Sequence, residues 1–411
     1  MVAIANVKLW NHLVGVIFWD ELQELGIFEF DKNFSKLSLD ISPLLFPLSE
    51  FENGKLVFSF PDLNRETFKG LPGFLAESLP QEFGNKILNI WHHQKKNNKL
   101  NFSPVDQLNF ISDNGFGAFE FESINRQIIN VSKPFDIHEL MSFVNDASKN
   151  QIHSTNYDDY LFQITAICKG KSPKAIVTFN PKTNEIRTGK TNDSKDFDYW
   201  LMKLNYTNDE NCKIEFAYYL MALDCGISIS ESKLLTKDGH SNLIIKRFDR
   251  QQNQKIHFQT LCGVAHFDSS KTGFYSYEQV FEILRQMKLP YSDSEELFRR
   301  MVFNVMSNNK NYSTQKIGFL MFPNGKWQLS PAFGMRFSND NEMHQVSINS
   351  KIQNILLDDL LAVAKNANIK KPKKIIERCN EVLFNWDIYA QKAGISIKKI
   401  REIERELLIF D

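Results

Sequence analysis

The sequence predicts an α+β fold: a β-rich N-terminal subdomain over residues 1–125, then a second unit over residues 134–411. The second unit reads as mixed to about residue 255 and mostly helical beyond it. Three observations predict this. Short runs of β-branched and aromatic residues dominate the first subdomain. A polar stretch from Glu122 to Lys133 separates it from the second unit. Past residue 272, apolar residues recur at helical spacing behind capping signals.

The elements run in order along the chain. Ala3 to Leu9 and Val14 to Trp19 read as strands divided at Asn11-His12, and Ile27 to Phe30 and Leu56 to Phe60 repeat the pattern. One helix is expected among them, over Gly73 to Trp91, with Phe74, Leu75, Leu79, Phe83, Ile87 and Ile90 at helical spacing. Pro80 breaks it into two pieces, because proline removes a donor and crowds the preceding turn. Asp113-Asn114-Gly115 marks a turn before a strand at Ala118 to Phe121. After Pro134, Ile137 to Val144 opens the second unit as a helix. Strands come next at Ala175 to Phe179 and Trp200 to Leu204, then a helix over Lys213 to Asp224 and a strand at Leu243 to Ile245. Ser276-x-x-Gln279 and Ser292-x-x-Glu295 both have capping-box form. Val280, Phe281, Leu284 and Met287 share one face, and Leu297, Met301, Phe303 and Val305 continue the next helix. The last helix starts near Ser396 and presents Ile397, Ile400, Ile403 and Leu407. A mixed lobe followed by a helical lobe fits a bilobal kinase, an order that many α+β proteins share.

Composition narrows the function classes. The chain has 411 residues, with 49 Lys+Arg against 49 Asp+Glu, so its formal net charge is zero. It lacks the basic excess of a nucleic-acid coat. Hydrophobic residues make up 42%, and the 35 Phe imply an extensive core. No apolar run approaches the ~18 residues of a membrane span. The N-terminus shows no basic region followed by an apolar core, so no secretory signal is expected. The five cysteines are odd in number and never form C-x-x-C, which predicts thiols in a reducing, cytoplasmic compartment. The nine histidines show no H-x-x-x-H or H-E-x-x-H spacing, and His92-His93 face different ways on a helix, so no metal site is expected. A Ser–His–Asp hydrolase has no nucleophile elbow to support it. Lys370-Lys371-Pro372-Lys373-Lys374 reads as a solvated helix start, with DNA phosphates or an acidic partner as the alternative.

Several stretches resemble the HipA family of bacterial toxin–antitoxin serine/threonine kinases. They are Glu66-Thr67-Phe68-Lys69-Gly70-Leu71-Pro72-Gly73-Phe74-Leu75-Ala76-Glu77-Ser78-Leu79-Pro80, Gly115-Phe116-Gly117-Ala118-Phe119-Glu120-Phe121, Trp200-Leu201-Met202-Lys203 and Lys246-Arg247-Phe248-Asp249-Arg250. Ile256 to Cys262, Ser276 to Gln279, Phe298 to Val305, Gly325 to Ala332 and His344 to Asn349 continue the series in family order. The resemblance implies a β-rich N-terminal subdomain followed by a bilobal protein-kinase-like core with a mostly helical C-terminal lobe. It also implies transfer of the γ-phosphoryl of ATP to a protein serine or threonine. A small helix-turn-helix antitoxin is the implied partner, with operator DNA reached through it, and no membrane.

Carried over residue by residue, the resemblance implies a degenerate site. The family's catalytic loop, Asp-x-His-x-Lys-Asn, falls on Asn311-Tyr312-Ser313-Thr314-Gln315-Lys316. Asn311 stands at the proton-accepting position, and a neutral amide does not take up a proton at useful pH. Lys316 stands at a metal position, where an ammonium cannot coordinate a cation. The family's Ser-Pro-x-Tyr-Asp appears as Ser330-Pro331-Ala332-Phe333-Gly334, so Gly334 replaces the second metal ligand. In the phosphate-covering loop, Ile167 to Lys174, only Gly170 survives as a glycine, while Lys169 and Lys171 have entered. Lys203 remains at the phosphate-lysine position and Lys246-Arg247-Phe248 at the hinge that meets the adenine. The nucleotide-binding candidates are therefore Lys203, Lys246, Phe248, Gly170, Lys169, Lys316 and Phe333.

Three functions are compatible with these positions. The leading one is a pseudokinase that binds an antitoxin, an operator complex or an active kinase partner, with ATP as candidate cofactor and Mg²⁺ not expected. The second is a working kinase with a rearranged site, in which lysines neutralise phosphate charge and an acid such as Asp340 moves in. The third is a structural partner whose cleft is filled by Phe333 and Tyr312.

Overall fold

A computed structural model describes residues 3–94, 102–123, 137–150, 159–188, 196–207, 209–237, 239–251, 254–338 and 343–410. The polar boundary stretch and Asp340 lie largely or wholly outside the described residues. The chain forms two compact units, threaded through one another in sequence. The first comprises residues 1–39, 48–209 and 235–257; the second comprises 40–47, 210–234 and 258–411.

The first unit opens with an antiparallel sheet ordered β4-β3-β2-β1-β5. Its strands are β1 (Ile4–Leu9), β2 (His12–Asp20), β3 (Leu25–Phe30), β4 (Val57–Phe58) and β5 (Phe119–Glu122). Alternation decides the faces: Ala5, Val7 and Leu9 of β1 are buried, as are Phe28 and Phe30 of β3. Phenylalanines gather beneath this sheet. Phe28 meets Phe30 and Phe74 edge-on at 4.7 and 5.3 Å, and Phe74 meets Phe119 at 5.8 Å. Such pairs add about 0.5–1.5 kcal/mol each beyond the area they bury.

Pro80 divides the expected helix into Gly73–Ala76 and Glu82–Gln94, as its missing donor requires. The expectation of a single helix in this module is corrected by short helices at Leu48–Glu52 and Arg65–Phe68 and by one at Pro104–Ile111. The last begins at a capping box in which Ser103 and Asp106 exchange hydrogen bonds. Gly84 lets the helix Glu82–Gln94 sit close to residues 166–168. A Cβ there would stand 2.5 Å from the Cys168 carbonyl oxygen and 2.6 Å from that of Ala166. Gly84→Ala is expected to cost about 1–3 kcal/mol by overpacking against backbone that has no rotamer to yield. Urea unfolding measures it, and a loss below ~0.5 kcal/mol would contradict this seating.

A second sheet has the order β7-β6-β8-β10-β9. It contains β6 (Lys174–Phe179), β7 (Ile186–Arg187), β8 (Asp198–Lys203), β9 (Ser232–Lys237) and β10 (His240–Lys246). Trp200 is fully buried in it, edge-on to Phe179 at 5.5 Å. A small hairpin, β11 (Arg250–Gln251) with β12 (Gln254–Lys255), comes next.

The second unit is mostly helical, with a three-stranded sheet of β13 (His257–Thr260), β14 (Gly318–Met321) and β15 (Trp327–Leu329). Helices Asn211–Asp224, Tyr277–Gln286, Tyr291–Met306, Leu357–Asn366, Pro372–Phe384, Trp386–Lys392 and Ile397–Glu404 enclose one apolar core. Tyr218 is buried there between Phe303 and Trp386, with ring centroids 6.0 and 5.9 Å away. The Ser276–Gln279 capping box forms in full. The Ser292 box does not: Pro290 is the N-cap and the helix has begun at Tyr291, which places Ser292 inside it. The last helix is capped by Ser396 and buries Ile400 and Ile403, but Ile397 is 78% exposed and Leu407 lies past the helix end. The basic run 370–374 is a helix start with Pro372 in the first turn. No helix among the described residues is long and apolar enough to cross a membrane.

Candidate functional site

The first unit holds the loop and strand candidates. Gly170 adopts φ +84°, a left-handed conformation that favours glycine, and its N–H donates to Gln81 Oε1 at 2.9 Å. Lys169 lies 3.9 Å from Glu77 and Lys171 3.4 Å from Glu82. Lys203 ends β8 directly opposite Lys174 of β6 and Leu243 of β10. Cross-strand neighbours share a face, so two lysines stand side by side where the loop returns to the sheet. Lys174 is buried and donates to the Ser172 carbonyl at 2.9 Å.

The Lys246-Arg247-Phe248 triplet divides by role. Lys246 pairs with Asp198 at 2.6 Å, both more than a third exposed, a geometry worth little in water. Phe248 is half-buried. Arg247 points into a closed ionic cluster. It donates to both Asp249 oxygens at 2.9 and 2.7 Å and to the Gly115 carbonyl at 2.8 Å, with the Phe116 ring 4.6 Å from its guanidinium. Arg250 donates to Asp249 and to the carbonyls of Gly115 and Gly117 at 2.8–2.9 Å, and the Gly117 N–H donates back to Asp249 at 2.7 Å. Burial alone would raise the Asp249 carboxyl, but the two guanidiniums outweigh it and hold the group at about 2. Burial brings Arg250 down to about 10 and Lys255, paired with Glu120 at 2.7 Å, down to about 8.

The second unit holds the residues that the resemblance assigns to the catalytic loop and the metal positions. The helix Tyr291–Met306 leads into Asn308, at φ +56°, and Asn309, which donates to Asn304 at 2.8 Å. The Asn311 N–H donates to Ser338 Oγ at 3.0 Å. Tyr312 is buried in the helical core. Thr314 donates to the Phe267 carbonyl at 2.9 Å, and the Leu261 N–H donates to the Ile317 carbonyl at 2.8 Å, which fixes the far end of the loop. Phe333 meets Phe258 edge-on at 5.9 Å.

Two of the predicted positions come together. Lys316 Nζ donates to the Gly334 carbonyl at 3.2 Å. Gly334 has φ +64°, and a Cβ there would stand 3.7 Å from Lys316 Cε and 3.9 Å from Cδ. Mg²⁺ takes oxygen ligands, typically carboxylates and waters. These positions offer one main-chain carbonyl, already bonded to an ammonium, and no carboxylate. The donor set does not fit Mg²⁺. Among the described residues, no group of three or more His, Cys, Asp or Glu side chains is placed to hold a metal ion.

Arg300 is a positioning residue that sequence reasoning missed. Only 1% exposed, it donates to Glu296 at 2.8 Å and to the carbonyls of Ser330 and Ser228 at 2.8 and 3.3 Å. It thereby holds the segment after β15 that leads into Phe333 and Gly334. Its signal was a charge set among the apolar residues Leu297, Phe298 and Met301.

A model of the HipA N-terminal domain matches residues 5–122, and one of the HipA-like C-terminal domain matches residues 167–386. HipA of the Shewanella oneidensis MR-1 toxin–antitoxin system, solved with HipB and operator DNA, has a similar structure. The TM-score is 0.70 at 15% identity, covering 98% of this chain and 96% of that one. The Helicobacter pylori proinflammatory kinase CtkA matches at a TM-score of 0.35 and 12% identity, over 51% of this chain and 88% of that one. No curated protein matches.

Proposed function

The chain belongs to the HipA family, and from that premise we propose that it is a pseudokinase, a member that acts by binding rather than by phosphoryl transfer. The observation that carries this reading is the contact of Lys316 with Gly334. The two positions that the family resemblance assigns to metal ligands hold each other, and neither has a carboxylate or side-chain amide to give a metal. The amide of Asn311 adds to this, since it supplies no proton acceptor where one is needed. In the first unit, Lys203, Lys169, Gly170, Lys246 and Phe248 remain candidates for nucleotide contacts; in the second, Lys316 and Phe333 do.

The Shewanella protein is seen with HipB and operator DNA. By analogy, the partner proposed for this chain is a small helix-turn-helix antitoxin, with DNA reached through it, or else an active kinase. The test is incubation of the purified full chain with γ-labelled ATP and Mg²⁺ or Mn²⁺. Label at background is the expected result. Incorporation well above background, into the chain or a co-purifying protein, would replace this reading with the working kinase of rearranged site.

A further inference from the structure

We infer that Cys225 and Cys379 form a redox site: a hydroperoxide joins them as a disulfide that pins one helix of the second unit to another. The inference stands apart from the function proposed above, since neither cysteine belongs to the candidate site.

Its ground is a buried cluster where two helices meet. Cys225 is the C-cap of the helix Asn211–Asp224, and Cys379 lies within the helix Pro372–Phe384. The neighbouring positions tie the helices together. Arg378 Nε donates to the Asp224 carbonyl at 2.8 Å, across 154 positions of chain, and the Tyr389 hydroxyl donates to the Asp224 carboxylate at 2.6 Å. Between these bonds the side chains of Cys225 and Cys379 hydrogen-bond to one another. Both are free thiols of one apolar core, 3% and 0% exposed.

While the cluster is closed, the pair reacts slowly. The contact with Cys379 and burial both push the Cys225 thiol up, against the guanidinium of Arg378, and only the thiolate is a good nucleophile. A helix end opens more readily than a helix middle, which places the first step at Cys225. Its sulfur, once deprotonated, takes one oxygen from hydrogen peroxide as the O–O bond breaks. The other oxygen leaves as water with the thiol proton. The Cys379 sulfur then attacks the resulting sulfenic acid, and the hydroxyl leaves with the second thiol proton as another water. Two thiols and one peroxide thus become one disulfide and two waters. The bond closes a loop of about 150 residues, and long loops constrain the unfolded chain most in the chain-entropy account.

The experiment treats the purified full chain with hydrogen peroxide, at a dose that converts the exposed Met343 to its sulfoxide. Remaining thiols are then blocked with N-ethylmaleimide, and linked peptides are mapped by mass spectrometry. The expected result is a peptide joining residues 225 and 379. The melting temperature of the second unit is expected to rise by about 5 °C or more, and dithiothreitol should reverse the rise. Cys225→Ala is expected to abolish both the linked peptide and the rise. Cys379→Ala keeps the first thiol without the second, so dimedone should label a sulfenic acid at Cys225. Melts in dithiothreitol report whether each variant folds, and the linked peptide in the unaltered chain decides the matter even if neither does. Absence of that peptide at the stated dose would overturn the inference. So would a rise in melting temperature that persists in Cys225→Ala.

Discussion

Asp249→Ala is expected to lower the stability of the first unit by about 3–5 kcal/mol, since removing one partner of a buried ionic cluster strands the others. Here two are stranded. Arg247 and Arg250 have 3% and 7% side-chain exposure and would face each other across the gap. The Gly117 N–H would lose its acceptor as well. Urea unfolding followed by fluorescence gives the measurement, read as the transition of this unit because the two units need not unfold together. A companion variant, Arg247→Met with Asp249→Leu and Arg250→Met, removes every charge at once and is expected to lose less than Asp249→Ala alone. A loss under ~1 kcal/mol in Asp249→Ala would show that the cluster does not hold the Gly115–Gly117 loop to β10 and its hairpin.

Acid is expected to begin destabilising the protein above the range in which carboxylates titrate. His257 is completely buried, packed 4.4 Å from the Phe119 ring, and burial brings it down to about 3. His344 in the second unit is brought down to about 4, by burial first and the charge of Lys310 second. Both folded values lie below the unfolded value of 6.5. Their stabilising contribution is therefore whole above pH 6.5 and shrinks as pH falls through that value towards the folded one. Each costs about 1.4 kcal/mol per pH unit in that window, or roughly 3 kcal/mol apiece by pH 4.5. Asp249 adds its own loss only lower, between 3.8 and about 2. Thermal melts from pH 7.5 to 4.5 test this, with His257→Leu expected to flatten the decline of the first unit. A melting temperature unchanged from pH 6.5 to 4.5 would sink the idea.

Much of the fold was legible because local rules governed it. The β-branched runs gave β1, β2, β3, β6 and β10 to within a few residues, and Pro80 broke its helix as proline must. The errors were also local. The helix at Pro104–Ile111 escaped notice because its capping box closes with Asp106 rather than Glu or Gln. The Ser292 box failed because Pro290, with its fixed φ, starts the helix earlier. The site was legible in composition but not in geometry. That residues 316 and 334 depart from the family pattern could be read from their letters. That they touch could not, because their approach depends on the β14–β15 hairpin between them. The partners of Arg247 were hidden for the same reason: its acceptor Gly115 lies 132 positions away.

That separation has a consequence for synthesis. The Gly115–Gly117 loop leaves the ribosome long before the guanidiniums that cover its carbonyls. At about 5–20 residues per second, the wait is on the order of 10 s. During it, the N-terminal sheet has emerged with one end uncovered, and β6 and β8 lack β10. Nascent chains stalled before Arg247 should therefore be easy prey for a protease. Those stalled after Lys255 has cleared the exit tunnel should resist it, so this unit is finished by its last strands to emerge.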